Sequence, residues 1–273
     1  MSDSVSSRGY AKINLFLRIL GAKGDYHEIE TLLQSVNLFD EITLSKSDND
    51  TVTSSFSGDN SLVVLEKLKE TFSLGGMTLS IKKSIPLGGG LGGSSADAAA
   101  AALACAKLWD LPIDAVKNTV ASLYGDLAFQ MTTGTAIARG MGEEIESLPS
   151  LPTYAVLLAF PKKGVSTKEA YRLSDTLPKG SGSALSLYWA LTRGDNANRY
   201  YLNDLLPPAI LLNDEISPFL ERMRDDKALL TGMTGSGSTL FSLYKCREDA
   251  EEKRSELPFS TLVTETISPF LAK

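Results

Sequence analysis

The sequence is poor in the residues that extracellular scaffolds and thiolate metal centres require. Only two of its 273 residues are cysteines, Cys105 and Cys246, and they lie far apart in the chain. They lack the close spacing of a metal-binding pair, so neither a disulfide framework nor a thiolate metal site is expected. A reducing cytoplasm fits this composition best.

Long apolar runs and an excess of basic residues are also missing. No stretch approaches the roughly 20 apolar residues that a membrane-spanning helix needs, and no basic N-terminal segment precedes an apolar one. The net charge is −6, and the 27 lysines and arginines are scattered along the chain. This argues against binding to extended nucleic acid. We therefore expect a cytoplasmic protein that binds neither membrane nor nucleic acid.

Histidine occurs once, at His27, so Ser-His-Asp chemistry has no other histidine available. A lone histidine is more often a structural hydrogen-bonding residue than a functional one. The P-loop of many nucleotide-binding proteins is excluded too, because its Gly-Lys-Ser/Thr string does not occur.

A glycine-rich segment between a predicted strand and a predicted helix is the most informative pattern that is present. The alternation of Met77, Leu79 and Ile81 predicts a strand, and the alanine-rich stretch 96–108 predicts a helix. Glycines let backbone amides approach phosphate oxygens closely, and the helix N-terminus adds a partial positive charge. The predicted phosphate-binding residues are Pro86, Leu87, Gly88, Gly89, Gly90, Leu91, Gly92, Gly93, Ser94 and Ser95.

Two other interpretations of this loop stay open. The spacing Gly88-x-Gly90-x-x-Gly93 also fits a dinucleotide-binding loop, but residues 1–85 precede it and are mostly β-like. A dinucleotide-binding fold places that motif near the start of its βα units. The loop could also be purely structural, although five glycines in six positions carry an entropic cost that a plain turn does not require.

A strand near the N-terminus carries two polar residues on one face. Apolar residues occupy the odd positions 13–19, and Lys12 and Asn14 fall on the opposite face. The period of two predicts a half-buried strand. Later in the chain, the apolar run 154–160 predicts a fully buried strand.

Three separated segments together resemble the superfamily of galactokinase, homoserine kinase, mevalonate kinase and phosphomevalonate kinase, the GHMP kinases. They are residues 10–17, the glycine-serine loop, and residues 232–239, in the order found in the superfamily. Over nearly its whole length the chain is most similar to the 4-diphosphocytidyl-2-C-methyl-erythritol kinases. Its most discriminating segment is Gly24-Asp25-Tyr26-His27.

The resemblance implies an α+β fold with two domains. Residues 1–148 would form an ATP-binding domain like the second domain of ribosomal protein S5, and residues 149–273 a ferredoxin-like domain. The proline-flanked stretch 148–152 suits such a boundary. The implied reaction is transfer of a phosphoryl group from ATP, with Mg²⁺, to the 2-hydroxyl of a cytidine diphosphate-linked methylerythritol. We expect a monomer or a weak homodimer.

The resemblance also assigns catalytic roles. Asp126 is the expected base for the attacking hydroxyl, Lys12 would pair with it and polarise that hydroxyl, and Asn14 would orient the substrate. On residue type alone, an aspartate after a helix, such as Asp126, is more often a solvated helix cap than a base. A strand lysine opposite an apolar face, such as Lys12, is more often solvated. Gly125 precedes the aspartate and Leu-Ala-Phe follows it, whereas the family normally has Gly-Ser or Gly-Ala before and Val-Pro-Phe after. A nucleotide-binding regulatory protein without activity therefore stays an alternative.

The resemblance also implies binding roles. Tyr26 and His27 would contact the cytosine, Tyr171 would cover its other face, and Gly235 and Ser236 would lie on the substrate side. A kinase for mevalonate or homoserine would not require the Tyr26-His27 pair and is the second alternative. The implied nucleotide contacts outside the loop are Asn60 and Lys83, although Lys82 beside Lys83 makes a merely solvated lysine pair equally plausible.

Overall fold

The structure is a computed structural model that describes residues 3–24, 26–55 and 60–269. Asp25, part of the segment that discriminates the family, lies outside the described residues. The strands are β1 (Ser4–Lys23), β2 (Tyr26–Ser47), β3 (Val52–Ser54), β4 (Gly76–Lys82), β5 (Thr135–Arg139), β6 (Glu144–Leu148), β7 (Ala155–Ala159), β8 (Leu230–Met233), β9 (Leu240–Tyr244) and β10 (Thr261–Glu265).

The other regular elements of the described chain are α-helices and a short 3-10 turn at Asn198–Tyr200. The α-helices are α1 (Asn60–Phe72), α2 (Gly93–Leu108), α3 (Ile113–Val120), α4 (Leu127–Gln130), α5 (Thr167–Ser174), α6 (Ala184–Thr192), α7 (Leu206–Leu212), α8 (Ile216–Met223) and α9 (Arg247–Ser255). Across the described ranges, none of these helices combines the length and the apolar character needed to cross a membrane.

The chain divides into two compact units, each assembled from separate stretches. The first unit is Met1–Ala11, Leu38–Pro86 and Gly92–Thr132, and the second is Lys12–Asn37, Leu87–Leu91 and Thr133–Lys273. The long strands β1 and β2 and the glycine-rich loop contribute residues to both units. The domain boundary predicted between residues 148 and 149 stays a prediction.

In the first unit, the second half of β2 pairs antiparallel with β4, which pairs in parallel with β3. The register sets Leu44 opposite Leu79 and Ile42 opposite Ile81. The buried side chains of this sheet form one core with the buried faces of α1 and α2. The many alanines of α2 are buried on several sides of the helix, because small side chains let neighbouring elements approach closely.

In the second unit, an antiparallel sheet has the strand order β10-β7-β9-β8. All five residues of β7 are buried, so the buried strand predicted from the apolar run 154–160 is confirmed. The first half of β2 pairs with β5, which pairs with β6. These pairings place the start of β2, with Tyr26 and His27, in the same unit as β8, β9 and α5.

Strand β1 departs from its sequence prediction in one respect. Its alternation is confirmed, but the face that carries Lys12 and Asn14 is buried as well, at 5% and 4% exposure. The prediction of a half-buried strand was therefore wrong for this segment. Burial of polar groups is costly unless they are hydrogen-bonded, and both side chains satisfy that condition.

Both cysteines are free thiols. Cys105 lies buried on α2, and burial raises the pKa of its thiol to about 12. Cys246 is exposed at the start of α9. Because the thiolate is the reactive form of cysteine, the native protein is expected to hold Cys105 inert.

Candidate active site

A cleft of about 700 Å³ in the second unit brings together Tyr26, His27 and Tyr171. The first two begin β2 and the third lies on α5, so this meeting follows from the fold and not from sequence proximity. Tyr26 is exposed at the cleft, while the His27 ring stacks on Tyr171 with ring centroids 4.8 Å apart. The three residues predicted to recognise a pyrimidine base therefore line one cavity.

Five residues of the α5 region, of which Thr167 is the first, line the same cleft, and Tyr171 is the only one of the five that was predicted as a site residue. Lys168, Tyr171, Arg172 and Asp175 recur at the spacing of one helical face. The carboxylate of Asp175 lies 2.7 Å from Nε2 of His27. Once Tyr171 was singled out, the spacing of three and four residues around it was a signal that could have found the others.

Lys12 and Asn14 belong to a buried hydrogen-bond network in the second unit. The ammonium of Lys12 donates to Oδ1 of Asn14 at 2.7 Å, and Nδ2 of Asn14 donates to the hydroxyl of Thr31 at 2.8 Å. The backbone amide of Asn14 donates to Oγ1 of Thr234 at 3.0 Å. The prediction that Lys12 and Asn14 point the same way from β1 is confirmed.

The turn between β8 and β9 holds the first half of the glycine-rich loop. The hydroxyl of Thr234 lies 3.0 Å from the carbonyl oxygen of Gly90, and the amide of Thr239 donates to the carbonyl of Gly89 at 3.2 Å. A Cβ atom at Gly90 would collide with the carbonyl oxygen of Thr234 and lie 3.2 Å from that of Gly237. Glycine is therefore required at position 90 by close packing as well as by its φ of 76°.

The same turn connects to the cleft. The hydroxyl of Ser236 lies 2.8 Å from that of Thr167, the first residue of α5 and part of the cleft wall. Asn203, which was not predicted as a site residue, donates from Nδ2 to the carbonyls of Met233 and Gly235 at 2.8 and 3.0 Å. A continuous path of hydrogen-bonded residues thus runs from the cleft wall through the turn to Asn14 and Lys12.

In the first unit, the helix predicted over 96–108 is confirmed as α2, but it begins three residues earlier, at Gly93, within the predicted loop. Its N-cap residue, Gly92, has a φ of 71° and provides no side chain to cap the first amides. The amide of Asn60, the first residue of α1, donates to the hydroxyl of Ser94 at 3.2 Å. Asn60 and Ser94, both predicted to contact the nucleotide, are therefore neighbours at two helix starts.

Lys83 bridges two buried carboxylates. Its ammonium lies 2.6 Å from Asp40 and 2.5 Å from Asp97, and both aspartate side chains are fully buried. Burial opposes the charged form of Lys83, but its hydrogen bonds to Asp40 and Asp97 outweigh this and raise its pKa. Lys82 instead forms a surface ion pair with Glu41. The two adjacent lysines, which the sequence did not separate, have different environments.

Asp126 occupies the N-cap position of α4 in the first unit. It is half-buried, its carbonyl accepts from the amide of Gln130 at 3.0 Å, and its side chain makes no cap hydrogen bond. An aspartate at an N-cap commonly accepts a hydrogen bond from the first amides of the helix, and the side chain of Asp126 does not do so. The preceding helix, α3, ends at Val120 with Ala121 as its cap. The predicted pairing of Asp126 with Lys12 stays a prediction.

Comparisons with known proteins complete this picture. Residues 60–138 match the model for the N terminal domain of GHMP kinases, and residues 187–261 match the model for their C terminal domain. The 4-diphosphocytidyl-2-C-methyl-D-erythritol kinase of Desulfitobacterium hafniense is 37% identical over 266 residues, covering 92% of this chain and 90% of the relative. The chain belongs to the 4-diphosphocytidyl-2-C-methyl-D-erythritol kinase family.

Three further comparisons support the family and the fold. The kinase of Rhizobium leguminosarum bv. trifolii is 35% identical over 274 residues, covering 93% of this chain and 90% of its own. A crystal structure of 4-(cytidine 5'-diphospho)-2C-methyl-D-erythritol kinase superposes with a TM-score of 0.81 and 27% identity, covering 96% of this chain and 99% of that one. Homoserine kinase from Cytophaga hutchinsonii shares the fold, with a TM-score of 0.72 and 21% identity over 98% of this chain and 96% of its own.

Membership of the 4-diphosphocytidyl-2-C-methyl-D-erythritol kinase family confirms the predicted α+β fold of GHMP kinases. It also makes this chain a small-molecule kinase that uses ATP as phosphate donor.

Proposed function

We propose that this protein transfers the γ-phosphoryl group of ATP to the 2-hydroxyl of 4-diphosphocytidyl-2-C-methyl-D-erythritol, giving the 2-phosphate and ADP. This step belongs to the non-mevalonate route to isoprenoid precursors. The observation that carries the proposal is the aromatic cleft of Tyr26, His27 and Tyr171. The hydrogen-bonded path from its wall to Lys12 supports it, because an elongated substrate needs both a base pocket and a distant reacting end.

We assign recognition of the cytosine to the cleft. The exposed ring of Tyr26 offers a stacking face, and His27 offers hydrogen bonds to the edge of the base. Tyr171 stacks on His27, so its contribution includes holding the histidine ring in place. The cationic side chains of Lys168 and Arg172 line the same cavity and suit the negative charge of the diphosphate.

At the reacting end of the substrate, we assign orientation to Asn14, Gly235 and Ser236. Asn14 is fixed by hydrogen bonds to Thr31 and Thr234, and Ser236 by its contact with Thr167. Groups held in this way lose little further freedom when a substrate binds, which favours reaction through positioning.

We assign ATP binding to residues 86–95 together with Asn60 and Lys83. Gly88, Gly90 and Gly92 all have positive φ values, a conformation that turns successive amides toward one side of a loop. The N-terminus of α2 adds its partial positive charge where the phosphates would bind. Lys83 sits beneath this helix start, between Asp40 and Asp97.

Phosphoryl transfer needs positioning, charge stabilisation and a group that accepts the proton of the attacking hydroxyl. We assign the last role to Asp126, whose carboxylate is not used as a helix cap. As the 2-hydroxyl oxygen bonds to the γ-phosphorus, its proton passes to this carboxylate and ADP leaves with the bonding electrons. Lys12 provides a buried positive charge that stabilises the developing alkoxide.

We propose that Mg²⁺ accompanies ATP and, when bound, would offset negative charge on the phosphates during transfer. The described residues contain no cluster of three or more His, Cys, Asp and Glu side chains suited to a metal ion. The hydroxyls of Ser94 and Ser95 are the hard oxygen donors nearest the start of α2, and phosphate oxygens would supply most other ligands.

Cytoplasmic residence and a monomeric or weakly dimeric state stay predictions from the sequence.

A coupled assay of ADP release tests the proposed function. We expect turnover with 4-diphosphocytidyl-2-C-methyl-D-erythritol and none with mevalonate or homoserine at the same concentration. Phosphorus NMR of the product should show a new phosphomonoester beside an intact diphosphate. Turnover with mevalonate or homoserine alone would favour another GHMP kinase, and ATP binding without any turnover would favour a regulatory protein.

Replacing Tyr26 with alanine is expected to raise KM for the cytidine substrate roughly 10-fold, because base stacking on an aromatic ring contributes about 1–3 kcal/mol. The KM for ATP should stay unchanged, since this exposed side chain lies in the cleft and not in the loop. Steady-state kinetics with each substrate varied in turn measures both constants. Trp189→Ala is the control, because Trp189 is also an exposed aromatic residue but does not line the cleft. Equal effects of the two substitutions would argue against base stacking at Tyr26.

A further inference from the structure

We propose that Asp175 is a positioning residue that fixes the proton of His27 on Nε2, and that the cleft thereby selects cytosine over uracil. This inference rests on the proposed function, because the pyrimidine belongs to the proposed substrate. It adds Asp175, which the sequence prediction did not include. It also specifies which ring nitrogen of His27 donates a hydrogen bond and which accepts one.

The first step is the hydrogen bond itself. Nε2 of His27 and Oδ1 of Asp175 are 2.7 Å apart. An ionised carboxylate accepts hydrogen bonds and cannot donate them, so the shared proton is on Nε2. In a neutral imidazole the other nitrogen then carries no proton and acts as an acceptor. Asp175 therefore sets Nδ1 of His27 as a hydrogen-bond acceptor.

The second step is the fixed orientation of the ring. Tyr171 stacks on His27 with an interplanar angle of 29°, and Asp175 is the C-cap residue of the helix that carries Tyr171. Tyr171 contacts the face of the imidazole and Asp175 contacts its edge. Because both residues belong to α5 and its C-cap, they hold the ring together. We infer that the acceptor nitrogen keeps one direction and offers its hydrogen bond to a ligand in the cleft that His27 lines.

The third step is the chemistry of the two pyrimidines. Cytosine presents an exocyclic amino group, which is a donor, where uracil presents a carbonyl oxygen, which is an acceptor. An acceptor at Nδ1 pairs with the amino group of cytosine. Against uracil, two acceptors would face each other and both would lose their hydrogen bonds to water. For a partly solvated site we expect kcat/KM to be roughly 10- to 100-fold lower with the uridine analogue.

Nitrogen NMR tests the protonation directly, because His27 is the only histidine in the chain and its imidazole signals need no assignment. Long-range proton–nitrogen spectra of the neutral ring are expected to show the proton on Nε2 in the wild-type protein. A proton on Nδ1 would overturn the proposal. This measurement needs no substrate and does not depend on enzymatic activity.

Kinetic discrimination tests the consequence. In Asp175→Ala, we expect the preference for the cytidine substrate over its uridine analogue to fall to within about threefold, through KM and not kcat. The KM for ATP should not change. The control is Asp195→Asn, since Asp195 is equally exposed, at 48% against 49%, and pairs with Arg193 outside the cleft. An unchanged preference in Asp175→Ala would overturn the proposal.

Binding separates this inference from the proposed function. Calorimetry with cytidine 5'-diphosphate and uridine 5'-diphosphate, with the ATP site saturated by a non-hydrolysable analogue, measures base selection without turnover. If the wild-type protein prefers the cytidine nucleotide and Asp175→Ala does not, the inference holds even if no phosphoryl transfer is found. If the wild-type protein binds both equally, the inference fails even if the kinase reaction is observed.

Discussion

Asp126→Asn is expected to lower kcat about 10³-fold while KM for both substrates stays within about threefold. An amide has nearly the shape of a carboxylate but cannot accept the proton of the attacking hydroxyl, and general base catalysis typically contributes 10²–10⁴-fold. Because asparagine nearly keeps the volume of the aspartate side chain, we expect the fold to be retained. The coupled assay of ADP release gives the rate, and thermal unfolding checks the fold.

A matched substitution makes this result specific. Asp114 is exposed in the first turn of α3, in the same unit as Asp126, and Asp114→Asn should leave kcat unchanged. If Asp126→Asn retained more than about a tenth of the wild-type kcat, another group would have to accept the proton. If KM for ATP rose instead, the aspartate would act in nucleotide binding.

Lys83→Met is expected to lower the free energy of unfolding by about 3–5 kcal/mol at neutral pH. Methionine keeps most of the side-chain volume but leaves the carboxylates of Asp40 and Asp97 buried beside each other without their cation. Removing one partner of a buried ion pair is costly because the remaining charge is not solvated. Urea unfolding followed by circular dichroism measures the difference.

The neighbouring lysine provides the control. The side chain of Lys82 is 78% exposed and that of Lys83 is 16% exposed, so the two differ mainly in burial. Exposed ion pairs contribute little, and Lys82→Met should change the free energy of unfolding by no more than about 0.5 kcal/mol. A similar effect of both substitutions would mean that the buried carboxylates do not depend on Lys83.

The pH dependence of the Lys83 effect has a defined sign. The pKa of Lys83 is raised above its ordinary value of 10.5 in the folded protein. Its ion pairs therefore stabilise the fold fully at pH values below 10.5, and this contribution is lost as pH rises through the folded pKa. The difference between wild-type protein and Lys83→Met should accordingly be constant near neutral pH and shrink at higher alkaline pH.

Features set by local pattern were predictable from the sequence. The strand before the glycine-rich loop, the helix after it, and the shared face of Lys12 and Asn14 all follow from residue spacing over a few positions. Tyr26, His27 and Tyr171 were predicted as substrate contacts because the family resemblance named them, and the structure places them in one cleft.

Features that depend on contacts between distant segments were not predictable in this way. Asp40 precedes Lys83 by more than forty residues, and no local spacing identifies it as an ion-pair partner. Burial of both faces of β1 was missed for the same reason, because Thr234, far along the chain, donates a hydrogen bond to the buried side chain of Asn14. The pairing of His27 with Asp175 likewise arises only when α5 packs beside the start of β2.

The contact of Gly89 and Gly90 with Thr234 and Thr239 constrains when the phosphate-binding loop can take its final shape during synthesis. The two segments are about 150 residues apart in the chain, so the ribosome must release the later one before the earlier one gains its support. A fragment that stops at residue 148 would carry every glycine of the loop but would lack the surface against which Gly89 and Gly90 rest.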